Sequence, residues 1–267
     1  MKVEVLVATM HQKDHSLVEK MNIQTDAVII NQCDREDHEE FEHNGKRIKF
    51  ISNKERGLSR SRNLAIKSAS GDICIIADDD IVYQDGYEEM VKKAYQELPE
   101  ADLIVFDIAY ENEPEKSWKF GKDKIQMGLR RALQVNSVRI TYKLNSIKDK
   151  DIKFNTLFGA GSIYNHGEEN IFIKECIRKG LKIYYFPITI ASIRFRESTW
   201  FKGYDEKYFF DIGAIYYELF KSLYLLFGIR LLLRQRKRLK DITVFSGIKA
   251  IMAGKKEYRN KKEEENA

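Results

Sequence analysis

The first two hundred residues alternate short apolar runs with amphipathic stretches. Continuous apolar runs of strand length, such as Val5-Leu6-Val7-Ala8 and Ala27-Val28-Ile29-Ile30, are the pattern of strands covered on both faces. The spacing predicts strands over 3–8, 26–31, 47–51, 72–77 and 101–108. It predicts helices over 14–21, 59–70 and 85–98. Ser59 is placed to cap the second of these and Gly71 to close it. Strands alternating with helices in this way imply an α/β fold with a mostly parallel sheet.

The pattern then loosens. Residues 110–128 are charged and aperiodic, which predicts a loop. A strand is expected over 138–142, a short helix over 144–150, and a helix over 167–179 closed by Gly180. A strand over 181–186 is expected to stop at Pro187. From Tyr208 onward, Phe209, Ile212, Ile215, Tyr216, Leu219 and Phe220 recur at helical spacing. The division expected is a catalytic domain over 1–203 and a basic, amphipathic helical region over 204–267.

Composition changes this picture little. A chain of 267 residues, 43% hydrophobic and 33% charged, is that of a globular protein with a sizeable core. Three unpaired cysteines, Cys33, Cys74 and Cys176, read as reduced thiols, with no disulfide or zinc framework. No run of about 20 uninterrupted apolar residues occurs, so no transmembrane helix is expected. Charge placement is more informative than the net value of +5. Between Arg230 and Lys262 only Asp241 and Glu257 oppose a dense series of arginines and lysines.

Three stretches carry candidate chemistry. The strand over 72–77 ends in Asp78-Asp79-Asp80, and adjacent carboxylates repel unless a cation sits among them. Such oxygens suit Mg²⁺ or Mn²⁺, which binds one or two carboxylates together with phosphates. In open α/β sheets ligands bind at the carboxyl ends of the strands. The stretch Gly57-Leu58-Ser59-Arg60-Ser61-Arg62-Asn63 opens a helix whose free N–H groups and arginine forks suit phosphate. Phe158-Gly159-Ala160-Gly161-Ser162 precedes Gly167-Glu168-Glu169 at a helix start. Singly, an acidic turn, a capped surface helix and a dipole-favoured glutamate pair would explain them.

Together and in this order, they resemble the family 2 glycosyltransferases of the GT-A fold, a Rossmann-like arrangement, over about residues 1–190. The resemblance implies an inverting, hexosyltransferase-type enzyme using a nucleotide-sugar, in the first instance a UDP-sugar. Asp78-x-Asp80 would be the D-x-D element, with Asp80 and Asp78 holding Mg²⁺ or Mn²⁺. Thr9, Asn31, Asp34, Gly57, Leu58, Arg62, Asp78 and Asp79 would bind the nucleotide. Glu169 would be the general base, with Glu168 beside it. Relatives commonly carry Asp as the second acid of that pair, so the choice between the two glutamates stays open. No histidine follows the Gly-Glu-Glu helix, where many relatives have a metal ligand. Arg194 and Arg196 stand near that place and could clamp the diphosphate, and Trp200 could stack on a sugar.

The acceptor implied is a saccharide or lipid-linked hydroxyl in cell-surface polysaccharide or glycolipid synthesis. The basic helical end suits an anionic membrane surface, and equally a helix packed on the catalytic domain with a solvated basic face; the location expected is cytoplasmic, peripheral at the inner membrane face on the first reading, and no nucleic-acid motif accompanies the charge. Two other readings compete. Asp78-Asp79-Asp80-Ile81-Val82 also resembles the motif of haloacid-dehalogenase phosphatases, in which the first Asp is a nucleophile. A non-catalytic sugar-nucleotide-binding protein is the other.

Overall fold

The computed structural model describes residues 1–113, 117, 119–194, 201 and 203–265. Its frame is one sheet built on the apolar runs. β1 (Val3–Met10), β2 (Asp26–Gln32), β4 (Lys46–Asn53) and β5 (Ile73–Asp78) pair in parallel, in the order β4-β2-β1-β5. Val5, Val7, Ala27, Ile29, Ile75 and Ala77 face one core, and Leu6, Val28, Ile30, Cys74 and Ile76 the other. The first core is covered by α1 (Leu17–Lys20) and α3 (Tyr87–Glu97). The second is covered by α2 (Leu58–Ser68), α5 (Leu144–Lys148) and α6 (Glu168–Arg178).

The expectation of a parallel sheet holds throughout this half, and in the other half for the pair of β7 (Leu103–Tyr110) with β10 (Ile183–Ile193), where antiparallel strands join them. Beyond β5 the order continues β9-β7-β10-β6, with β9 (Ile140–Lys143) antiparallel between β5 and β7 (Leu103–Tyr110). β6 (Ile81–Tyr83) and the two-residue β8 (Ile125–Gln126) also pair antiparallel, with β10 (Ile183–Ile193). At the other edge β3 (Asp37–His43) forms a hairpin with β4. The sheet is therefore mixed.

Three local expectations change. β10 does not stop at Pro187; it runs through, leaving register with β7 between Tyr185 and Thr189, where a bulge accommodates the missing N–H. The N-cap of α2 is Gly57 at φ 119°, not Ser59, whose hydroxyl instead donates to the Phe158 carbonyl (2.7 Å). Gly71 does not cap α2. It lies against Glu4, where a Cβ would fall 2.7 Å from the Glu4 Cβ.

The C-terminal region is helical, as the spacing predicts. Asp205 caps α7 (Glu206–Phe220) by accepting from the Tyr208 N–H (2.8 Å). α8 (Tyr224–Arg234) and α9 (Val244–Glu265) follow, with the short helix α4 (Leu129–Ala132) lying earlier in the chain. By length and composition alone Glu206–Arg234 could cross a membrane, contrary to the expectation of no such segment, though a third of its most apolar window is buried. Here a 3₁₀ turn divides it, with Lys221 at φ 49°. α7 and α9 touch at backbone distance: a Cβ on Gly213 would lie 2.0 Å from the Ile251 carbonyl oxygen, and one on Gly254 1.9 Å from that of Phe210. Ala214, Ile215 and Leu219 of α7 and Tyr258 of α9 pack on Leu157, Phe158 and Tyr164.

Candidate active site

The carboxyl ends of β1, β2 and β5 open on a cavity of about 780 Å³. Thr9 and Gln32 enter from the first two strands, Asp78 and Asp79 from the third. Gly57, Leu58 and Arg62 enter from the start of α2, Ala160 and Gly161 from a loop, and Glu168 and Glu169 from the start of α6.

Backbone contacts fix the walls. The Gly57 N–H donates to Gln32 Oε1 (2.8 Å), and the Leu58 N–H to the Ala160 carbonyl (2.9 Å). Gly159 lies so near Glu168 that a Cβ would meet its carboxyl carbon at 3.3 Å. From the far side, Asp211 of α7 accepts from the Asn165 N–H (3.3 Å) and from Lys207. The neighbouring His166 ring stacks on Tyr208 at 5.3 Å and lines the cavity. Burial, helped by Lys207, pushes His166 down to about 4, so it is neutral at pH 7.

Arg62 is the electrostatic centre. Its head is buried and donates to Glu168 Oε1 (3.0 Å), Asp78 Oδ1 (3.0 Å) and Ser137 Oγ (2.8 Å). Burial works against its charge, but Asp78 and Glu168 outweigh it, and the guanidinium is held above its ordinary range. The arginine expected to pack against the nucleotide is thus already spent on two carboxylates.

The two glutamates differ for the same reason. Glu168 is ion-paired with Arg62. Glu169 is pushed up to about 8, first by burial and then by the adjacent Glu168. A carboxylate that takes up a proton near neutral pH is suited to general-base work. Glu168 thus holds Arg62, while burial and the adjacent Glu168 raise the proton affinity of Glu169.

The acidic turn is placed less simply. Asp78 and Asp79 line the cavity, and Asp79 Oδ2 accepts from the Thr9 hydroxyl (2.5 Å). Asp80 follows Asp79 in the turn and is exposed. Among the described residues no three His, Cys, Asp or Glu side chains gather as a cation cage. Two neighbouring carboxylates at a cavity suit a hard cation whose other ligands are phosphate oxygens and water.

Other sequence-predicted residues fall elsewhere. Asn31 is fully buried and holds the Gln12 backbone (2.9 and 3.1 Å) and Ser52 Oγ (3.1 Å), so it shapes the turn after β1 and is not on the cavity wall. Asp34 points to solvent and pairs with Arg56 (2.5 Å). Arg194 is exposed just past β10 and is not on the cavity wall. Arg196 and Trp200 lie outside the described residues. Gln32, Asn136, Ser137, Asn165 and His166 line the cavity without having been singled out by motif. Gln32 ends β2, and Asn165 and His166 directly precede the Gly-Glu-Glu helix, so their positions follow from the neighbouring elements and not from a motif.

A parallel half-sheet ending in an acidic turn, faced across one cavity by a glutamate pair on a helix start, is the frame of a GT-A glycosyltransferase. The family model for Glycosyl transferase family 2 matches residues 15–165, more than half the chain, and the chain belongs to that family. It is a glycosyltransferase, which sets the phosphatase reading aside. Among solved structures, S. aureus TarS 1–349 is similar at 15% identity and TM-score 0.62, over 89% of this chain and 72% of that one. The same protein in complex with UDP-GlcNAc gives TM-score 0.63 at 15% identity, over 89% and 73%. Full TarS is covered over 43% of its length. At that identity the likeness is one of fold. No curated protein matches the chain.

Proposed function

We propose that the protein moves a sugar from a nucleotide-sugar, of the UDP class, to a hydroxyl of a saccharide or lipid-linked acceptor, with inversion at the anomeric carbon. The observation that carries this reading is the convergence of Asp78, Asp79, Glu168 and Glu169 on one cavity, with Asp78 and Glu168 bridged by Arg62. Thr9, Gln32, Gly57 and Leu58 bound the donor end. Asp78, with Asp79 or Asp80, would hold Mg²⁺ or Mn²⁺. When bound, that cation offsets the charge developing on the leaving diphosphate.

The acceptor oxygen attacks the anomeric carbon as the bond to the diphosphate breaks, and Glu169 takes the hydroxyl proton. Such proton transfer contributes typically ~10²–10⁴-fold. Glu168 keeps Arg62 in place. A single displacement with one base gives inversion. The likeness to a UDP-GlcNAc-binding fold supports the donor class, and the basic C-terminal region supports a place at the cytoplasmic face of a membrane, in surface polysaccharide or glycolipid synthesis.

The test is a thermal-shift panel of UDP, GDP, TDP and CMP with and without Mn²⁺. A ligand at about 100 times its Kd adds ~2.7 kcal/mol of stability. The expected result is a UDP shift, strengthened by Mn²⁺ and lost in Asp78→Asn. No shift with any nucleotide would overturn the donor assignment and restore a non-catalytic or differently supplied site.

A further inference from the structure

Exposed large apolar side chains gather at the C-terminal helices. Leu226 is 64% exposed, Phe245 67%, and Leu223, Leu233 and Met252 at least half. Leu223, Leu226, Arg230, Leu233 and Arg234 recur in steps of three and four, so they share one face of α8 and the turn before it. The opposite face is closed by packing on α9: a Cβ on Gly228 would lie 3.0 Å from Ile251, and one on Gly247 2.1 Å from Leu232. On α9, Phe245, Lys249, Met252 and Lys256 repeat the pattern, with the Lys249 ammonium 4.6 Å from the Phe245 ring.

The chemistry of this face is one-sided. No Asp or Glu occurs between Glu218 and Asp241, and none between Asp241 and Glu257. Among the described residues no carboxylate pairs with Arg230, Arg234, Arg236, Lys237 or Arg238. A soluble surface normally intersperses both signs. Leucines standing beside unopposed arginines instead match an interface with acyl chains below and anionic head groups above.

We propose that the outward face of α8, extended by that of α9, docks on an anionic lipid bilayer. Leu223, Leu226 and Leu233 enter the head-group boundary, and Arg230 and Arg234 meet lipid phosphates. Docking is peripheral, because the buried face of α7 stays packed on Leu157, Phe158 and Tyr164. That same loop supplies Ala160 and Gly161 to the cavity wall, so α7 and Tyr258 of α9 link the helices to the site. The inference deepens the membrane-face location proposed above and rests on that location, not on the transfer chemistry.

The test is co-sedimentation of the full chain with vesicles of phosphatidylcholine alone or mixed equally with phosphatidylglycerol. Binding is expected only to the anionic vesicles, weakening in high salt. Each cation near such a surface contributes about fivefold to partitioning. Arg230→Ser with Arg234→Ser should therefore bind roughly twentyfold less. Leu226→Ser with Leu233→Ser should also lose binding, with melting temperature and nucleotide shift unchanged because these side chains are exposed. Equal binding to both vesicle types, no binding to either, or variants that bind like the parent would overturn the proposal. So would binding that high salt and alkaline carbonate fail to release, which marks a spanning segment. A dimer abolished by the leucine variant would give the face to a second copy, and retention of an oligonucleotide instead of vesicles would give it to nucleic acid. Failure of the nucleotide panel leaves the vesicle result standing, so the two readings fail separately.

Discussion

Replacing Glu169 with Gln should stabilise the protein while stopping transfer, and the gain should depend on pH. In the fold, Glu169 holds its proton up to about 8, against an ordinary value of 4.5. Below about 4.5 the group is protonated both folded and unfolded, and it contributes no difference. As pH rises through that value, the unfolded chain ionises freely while the folded chain resists. The parent therefore loses stability relative to Gln until both forms are ionised above about 8. A tenfold change in proton affinity is worth about 1.4 kcal/mol, so at pH 7 the penalty reaches ~3 kcal/mol as an upper bound, reduced by the open side of the cavity.

Chemical denaturation of parent and Glu169→Gln from pH 4.5 to 8.5 measures this directly. Equal stability at pH 4.5 and a growing advantage for Gln toward pH 8 is the expected pattern. A constant difference, or a parent more stable than Gln at pH 8, would refute the raised proton affinity of Glu169. The same reasoning fixes the free enzyme's pH profile. At pH 7 roughly one tenth of Glu169 is ionised, so kcat/KM should rise about tenfold for each pH step of one on the acid side and level near 8.

Arg62→Met should cost about 3–5 kcal/mol at pH 7, because it leaves Glu168 unpaired in a buried place; denaturant unfolding measures the loss, and Arg62→Lys should fall between. Gly213→Ala drives a methyl into the Ile251 carbonyl, and calorimetry should show a loss of about 1–3 kcal/mol or more, whereas Gly45→Ala, with open space around its Cβ but φ +74°, tests strain alone.

The strands legible in the sequence are those whose apolar runs are continuous: β1, β2 and β5 are covered on both faces and say so residue by residue. β3 is a poor match to that rule, since Asp37–His43 holds one large apolar residue, Phe41, and lies at the sheet edge with its charges outward. The antiparallel insertion of β9 between β5 and β7 leaves no local trace, because pairing across the sheet is decided by distant partners. Within the site, the motif residues Gly57, Leu58, Arg62, Asp78, Glu168 and Glu169 do converge on one cavity. Asn31 and Gln32 show where motif reading ends. Successive strand residues point to opposite faces, so Gln32 reaches the Gly57 N–H while Asn31 turns to Gln12 and Ser52. Choosing between them from sequence would require knowing which face of β2 meets α2.

The same geometry explains why a site with so many carboxylates folds. Asp78 and Glu168 come from elements 90 residues apart in sequence, Glu168 buried and Asp78 half-buried at the cavity. One guanidinium bridges both, which ties the donor half of the sheet to the start of α6. The bridge pairs Glu168 and not Glu169, whose proton affinity is raised by burial and by the neighbouring Glu168, with Arg62 only partly offsetting them. In the proposed mechanism Arg62 would act through Glu168, as a positioning residue. A lysine there would keep the charge but could not reach two carboxylates and Ser137 with one planar fork. Glu169 would then gain a less firmly held neighbour, and the acid limb of the pH profile would move even where the fold survives.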